Sequence, residues 1–137
     1  MIKKIFKYWF PLFIWALLIF LFSARSTGVV TEIHWGDFII KKTAHIIEYA
    51  VLTLLSYRAM KESGISKTNA ALFSILFAVF YGTTDEFHQA FTPGREPKAR
   101  DVIFDTIGSV LAIYSVWNLL PKAPIKLRNL AEKFQLI

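Results

Sequence analysis

Four apolar stretches, near residues 8–22, 42–57, 70–91 and 102–120, take up more than half of this chain. Each is about as long as a helix needs to cross roughly 30 Å of hydrocarbon. A soluble domain of 137 residues leaves a large share of its side chains facing water. With 55% of residues hydrophobic, 19% charged and 13 of them Phe, this chain would show water an apolar surface. Intrinsic disorder requires the opposite composition. The expected fold is all-α, an integral membrane bundle of four transmembrane helices over residues 1–120, followed by an amphipathic cytoplasmic tail over residues 121–137.

Lys and Arg outnumber Asp and Glu by 16 to 10, a net charge of +6. In so apolar a chain the excess fits loops that meet anionic lipid, and nucleic acid is not expected as a partner. The absence of Cys removes disulfides, thiolate nucleophiles and Cys-based metal sites. The first stretch follows Lys3, Lys4 and Lys7, as a signal peptide would. It is long for that role, and Phe22-Ser23-Ala24 makes a poor cleavage site, so a retained helix is expected. Pro11 is expected in the first turns of that helix, where a missing N–H matters least.

Cations set the sidedness. The start of the chain (Lys3, Lys4, Lys7), the second loop (Arg58, Lys61, Lys67) and the tail (Lys122, Lys126, Arg128, Lys133) together hold ten. The first and third loops (Arg25, Lys41, Lys42, Arg95, Lys98, Arg100) hold six. The positive-inside rule then puts both termini in the cytoplasm. In the tail, Leu127, Leu130, Phe134 and Ile137 recur at helical spacing with Lys126, Arg128 and Lys133 between them. That pattern fits a short amphipathic helix on the inner leaflet, or else a frayed polar end.

Ionisable side chains inside a bilayer are costly and mark function by default. Here they converge. His45 and Glu48 lie three apart near the start of the second helix, and Asp85, His88 and Gln89 share a face at the end of the third, one turn beyond Tyr81. Asp101 and Asp105 open the fourth, four apart, in line with Gly108 and Ala112. In the expected topology all three places fall on the outer side, within about 10 Å of the interface. The third loop caps them with Arg95, Lys98 and Arg100. Glu86 points off the Asp85–His88 face and is expected in a loop or interface contact, while His34 and Trp35 suit an interfacial anchor.

Several chemistries fit this set. His45 with Glu48, and Asp85 with His88, are pairs of the kind that hold metals in helical bundles, so a divalent metal is a candidate cofactor. Carboxylates beside imidazoles also suit general acid–base catalysis. Arg95 and Arg100 can grip a phosphate bidentately, with Lys42 either joining that contact or snorkelling to the interface. The plain alternative is that His–Glu and Arg–Asp pairs only lock helices together. A transporter fits less well, for want of inverted repeats, broken helices or acids deep in the inner half.

The run Lys42-x-x-His45-x-x-Glu48-Tyr49, then Tyr81-Gly82-x-x-Asp85-Glu86-x-His88-Gln89, Pro93-Gly94-Arg95 and Asp101-x-x-x-Asp105-x-x-Gly108, resembles the VanZ-like family of small bacterial membrane proteins. The resemblance extends over residues 22–112 and departs after Arg95, where Glu96 and Pro97 replace small residues. It implies a multi-helix domain in the bacterial cell membrane and, from the family's namesake, an association with resistance to the glycopeptide teicoplanin. Some relatives carry a phosphotransbutyrylase label, but no glycine-rich nucleotide or CoA-phosphate loop stands here to support it. Taken with the outer cluster, it implies membrane lipids as partners, in particular a phosphorylated or glycosylated cell-wall precursor lipid, or the glycopeptide. His45, Glu48, Asp85, His88 and Asp105 are then the candidates for chemistry. Lys42, Tyr49, Gln89, Arg95, Arg100 and Asp101 are the candidates for holding the substrate.

Overall fold

The computed structural model describes residues 2–24, 35–93 and 98–137. They form five α-helices: α1 (Ile2–Ser23), α2 (Trp35–Glu62), α3 (Lys67–Gln89), α4 (Ala99–Tyr114) and α5 (Ile125–Lys133). No strand occurs among the described residues. A π-helical turn, Ser115–Leu119, and a 3-10 turn, Leu120–Lys122, prolong α4. Pro121 and Pro124, which have no N–H to donate, then end it.

Local signals explain the joints. α2 ends on Gly64, whose φ of 96° lets Gly64 donate to Lys61 and Ile65 donate to Met60. A glycine in this left-handed conformation closes a helix by satisfying its last carbonyls. Ser66 then caps α3 by accepting from the Asn69 N–H at 3.3 Å. So short a connection leaves α3 antiparallel to α2. Pro11 lies in the interior of α1, not in its first turns, because the helix starts at Ile2 and takes in the cationic residues ahead of the apolar stretch. Its missing N–H therefore deprives the Lys7 carbonyl of a partner. The first loop, expected to run to Lys41, is helical from Trp35 onward, since nothing between Trp35 and Lys42 breaks the α2 pattern.

α2 packs against α1, α3 and α4, whereas α1 and α4 make no contact among the described residues. They flank the α2–α3 pair on opposite sides. Trp9 donates to Ser63 at 3.1 Å where α1 begins and α2 ends. Gln89 donates to Ser23 at 2.9 Å where α3 and α1 both finish. The four helices thus alternate in direction. The end where α1 and α3 finish and α2 and α4 begin is called the site end below; the other is the tail end.

The polarity of this bundle is that of a protein dissolved in lipid. Thr53, Ser56, Ser74, Ala78, Ser109 and Ala112 fill buried positions between helices, while Phe6, Phe13, Phe80 and Ile103 stand more than half exposed. Lipid gives apolar side chains no reason to turn inward, so small residues that let backbones approach supply the packing. Thr53, Ser74 and Ser109 return their hydroxyls to carbonyls of their own helix. At Gly108 the α4 backbone lies against the Ile46 carbonyl of α2, with no room for a side chain.

Three segments are long and apolar enough to cross a membrane: Ile5–Ser23, Lys67–Gln89 and Ala99–Lys122. The sequence leads one to expect a fourth span in α2, but this helix of 28 residues is not apolar enough to count among them. Lys42, His45, Glu48 and Arg58 lower its hydropathy. It also contacts α1, α3 and α4, and Lys42 is buried against α4 while His45 and Glu48 are part-buried. At the tail end Gln135 takes a φ of 54° and Leu136 donates to Ala131 at 2.9 Å, which turns the chain back after α5. Ile137, expected on one stripe with Leu127, Leu130 and Phe134, instead packs with Leu136 against Tyr57, Ala70, Ile113 and Val116.

Candidate functional site

The site end is organised around Asp105, which is 1% exposed. His45 of α2 donates through Nδ1 to its Oδ1 at 3.0 Å. An ionised carboxylate only accepts, so Nδ1 carries the proton of this bond, and whenever the ring is neutral Nε2 is left as an acceptor. Tyr49, one turn along α2, stacks parallel to the imidazole with ring centres 6.5 Å apart. Gly82 of α3 closes the group, because a side chain there would begin 2.9 Å from Asp105 Oδ2 and 3.3 Å from the Tyr49 ring. Three helices therefore meet at one carboxylate, and the absence of a Cβ at Gly82 is what admits it.

One turn nearer the end, Lys42 and Asp101 form a buried ion pair at 2.5 Å. The ammonium lies 5.6 Å from the ring centres of both Phe38 and Phe104. Arg100 shares Asp101 more loosely, at 3.9 Å, and lies 5.4 Å from the centre of the Phe38 ring. Lys42 is thus taken up by α4, whereas the Arg100 side chain is 55% exposed and keeps donors for another group.

The third part lies at the end of α3. Gln89 donates to Asp85 Oδ2 and to Ser23 Oγ, both at 2.9 Å, tying α3 to α1. Glu86 accepts the Lys98 N–H at 2.7 Å, the loop contact expected of it, and is 6% exposed. His88 turns toward α1, its ring 4.5 Å from that of Phe20. Two further bonds brace α1: Tyr81 donates to the Ala16 carbonyl at 2.6 Å, and Trp15 to the Glu48 carbonyl at 2.9 Å. The charges of Glu48 and Asp101 act on His45, and those of Asp85 and Asp101 on Asp105.

Six buried side-chain polar atoms have no hydrogen-bond partner among the described residues, and four belong here: Tyr49 Oη, Asp85 Oδ1, Glu86 Oε1 and His88 Nδ1. His45 bonds to Asp105, and the His88 ring lies against Phe20. No three His, Asp or Glu side chains among the described residues are placed to share an ion, where zinc sites use three or four ligands. Arg95 and His34 lie outside the described residues. Ser23, Gly82 and the Phe20 ring join the site without having been expected there. Of these only Gly82 carried a signal, a glycine one residue after Tyr81.

Tyr49 offers a direct check on whether these loose ends matter. A buried hydroxyl without a partner costs about 1–3 kcal/mol. Tyr49→Phe should therefore leave the protein as stable as wild type or raise its melting midpoint in detergent, while impairing its activity in cells. A lower midpoint would mean that the hydroxyl already has its partner within the fold.

Residues 6–120 match the family model described as VanZ/LLP1. No curated protein and no solved structure matches the chain. The matched range takes in α1 from its fifth residue, all of α2 to α4 and every described residue of the site end, and the chain belongs to the VanZ-like family.

Proposed function

We propose that the site end binds the head group of a phosphorylated or glycosylated cell-wall lipid, and that the protein contributes in this way to resistance to a glycopeptide such as teicoplanin. The observation that carries the proposal is the set of four unpartnered polar atoms on Tyr49, Asp85, Glu86 and His88. Buried polar atoms are nearly always paired, so four at one end of a bundle call for a ligand. Carboxylate oxygens accept only, and sugar hydroxyls or amide N–H groups supply the missing donors. The acids repel phosphate, which falls instead to Arg100, whose side chain is exposed. His45, oriented by Asp105, offers Nε2 as a base, and Asp85 offers a second proton-transfer group for hydrolysis or transfer at the head group. Glu48 sets the charge around His45.

In the bacterial cell membrane, residues 1–120 provide four spans, with α2 carried by its neighbours. Both termini lie in the cytoplasm, as does the segment 121–137, and the site end meets the outer leaflet. Phe87, 69% exposed near the end of α3, reports on this orientation. A single Phe87→Cys should react with an impermeant thiol reagent on intact cells. Labelling only after lysis would invert the topology.

A second reading has its own observation. Lys42–Asp101 and His45–Asp105 both join α2 to α4, as pairs that merely lock a bundle would, leaving a non-catalytic module that docks a partner. Teicoplanin susceptibility of a Gram-positive host separates the two, with Glu48→Gln and Asp85→Asn compared with wild type at matched membrane levels. Head-group binding requires that wild type protect and that both variants fall to the level of the host without the protein. Equal protection by all three makes the cluster a scaffold, and a scaffold loses melting temperature first.

A further inference from the structure

A second surface has no part in that site. Helix α5 hangs at the tail end and, among the helical segments described, touches only the 3-10 turn that precedes it. It is held at both ends. Leu120–Lys122 ties down its start, and beyond its finish Gln135 accepts from Arg58 Nη2 at 2.9 Å while Leu136 and Ile137 sit in the Tyr57 cluster. Between these fixed points Leu127, Leu130 and Phe134 stand about half exposed, at 51%, 50% and 49%.

At about 100° per residue these three side chains fall within a stripe roughly 60° wide. Ala131, 4% exposed where the chain folds back, borders the stripe on one edge. Lys126 and Lys133 border it on the other. Residues 121–137 hold four cations (Lys122, Lys126, Arg128, Lys133) against Glu132, a net +3. An apolar stripe with protein along one edge and lysines along the other fits a surface that is apolar inside and anionic outside. A second copy fits worse, since it would set +3 against +3.

We propose that α5 is an interfacial anchor that lies on anionic lipid at the tail end of the bundle, its Leu127–Leu130–Phe134 stripe in the acyl boundary and Lys126 and Lys133 among the head groups. The pins at Arg58 and in the Tyr57 cluster hold it flat beside the spanning helices. This anchor does not depend on what the site end binds, nor on which leaflet the tail end meets.

The absence of Cys lets one probe be placed at a time. The full chain, carrying Leu130→Cys or Asn129→Cys with a bimane label, is placed in nanodiscs of phosphatidylcholine alone or mixed with phosphatidylglycerol. Quenching by nitroxide-labelled lipid is then read. The Leu130 probe should be quenched several-fold more than the Asn129 probe in the anionic discs. Lys126→Glu with Lys133→Glu should reduce that quenching there and leave it unchanged in phosphatidylcholine. All these side chains are exposed, so the bundle itself should melt as wild type. A Leu130 probe unquenched in both discs overturns the anchor. One shielded from water yet beyond reach of the lipid nitroxide makes the stripe a protein interface and overturns it equally. Quenching indifferent to anionic lipid and to the charge reversal overturns the role of the lysines.

Discussion

Gly108→Ala should cost the protein about 3 kcal/mol and lower its melting midpoint in detergent by about 10 °C. On an open helix face the same change would stabilise by about 1 kcal/mol, because alanine is the better helix former. Here the sign reverses. The new methyl would overlap the Ile46 carbonyl, with the Ile46 carbonyl carbon and Cα both 3.0 Å away. These are backbone atoms in the middle of α2, and no rotamer moves them aside. To make room, α4 must slide off α2 and pull Asp101 from Lys42 and Asp105 from His45. Gly36→Ala is the control, since a side chain there meets nothing within 4 Å. Equal midpoints for Gly108→Ala and wild type would mean that the two helices are farther apart than described.

Asp105→Ala should be as damaging, at about 3–5 kcal/mol, because it strips His45 of its buried partner and leaves a gap. Its interplay with Gly82 is the more telling measurement. Gly82→Ala alone puts a methyl 2.9 Å from Asp105 Oδ2 and 3.3 Å from the Tyr49 ring, which requires both side chains to shift. Once Asp105 is alanine the first of those obstacles is gone. The double variant should therefore be more stable than the sum of the single losses by about 1 kcal/mol. Strict additivity in thermal melts of the four proteins would show that the Asp105 carboxylate does not lie against Gly82.

The spacing of residues announces much of this. Helical periodicity and the distribution of cations place His45, Asp85 and Asp105 near one end of a helical bundle. Glu86 meets the Lys98 backbone, as a residue off the Asp85 face would. Partnership is harder to read. His45 has Glu48 three residues away, yet its ring meets Asp105, sixty positions on. Side chains on one helix run side by side, whereas contact across helices depends on how closely the backbones approach, and Gly108 on Ile46 decides that distance. The charges of α2 have a similar history. They count against a membrane span when apolar residues are summed, and only the neighbouring helices show why they are tolerated. Ser23 belongs to no motif, and Gln89 reaches it only because α1 and α3 finish together. The turn that draws Ile137 off its stripe depends on Gln135 in a left-handed conformation, which few side chains adopt and no spacing rule foretells.

The two side-chain pairs between α2 and α4 also bear on how the protein is made. Lys42 and His45 leave the ribosome fifty-nine and sixty residues ahead of Asp101 and Asp105. During that interval α2 carries a cation and an imidazole with no partner, and a lone helix of this kind is poorly retained by hydrocarbon. α1 is apolar enough to settle by itself; α2 is not. On the proposed four-span arrangement it has to wait, shielded at the insertion machinery or loosely held at the interface, until α4 has been synthesised. On that arrangement biogenesis is cooperative, and a ribosome stalled before Asp101 should leave behind a chain whose second helix has nowhere stable to go.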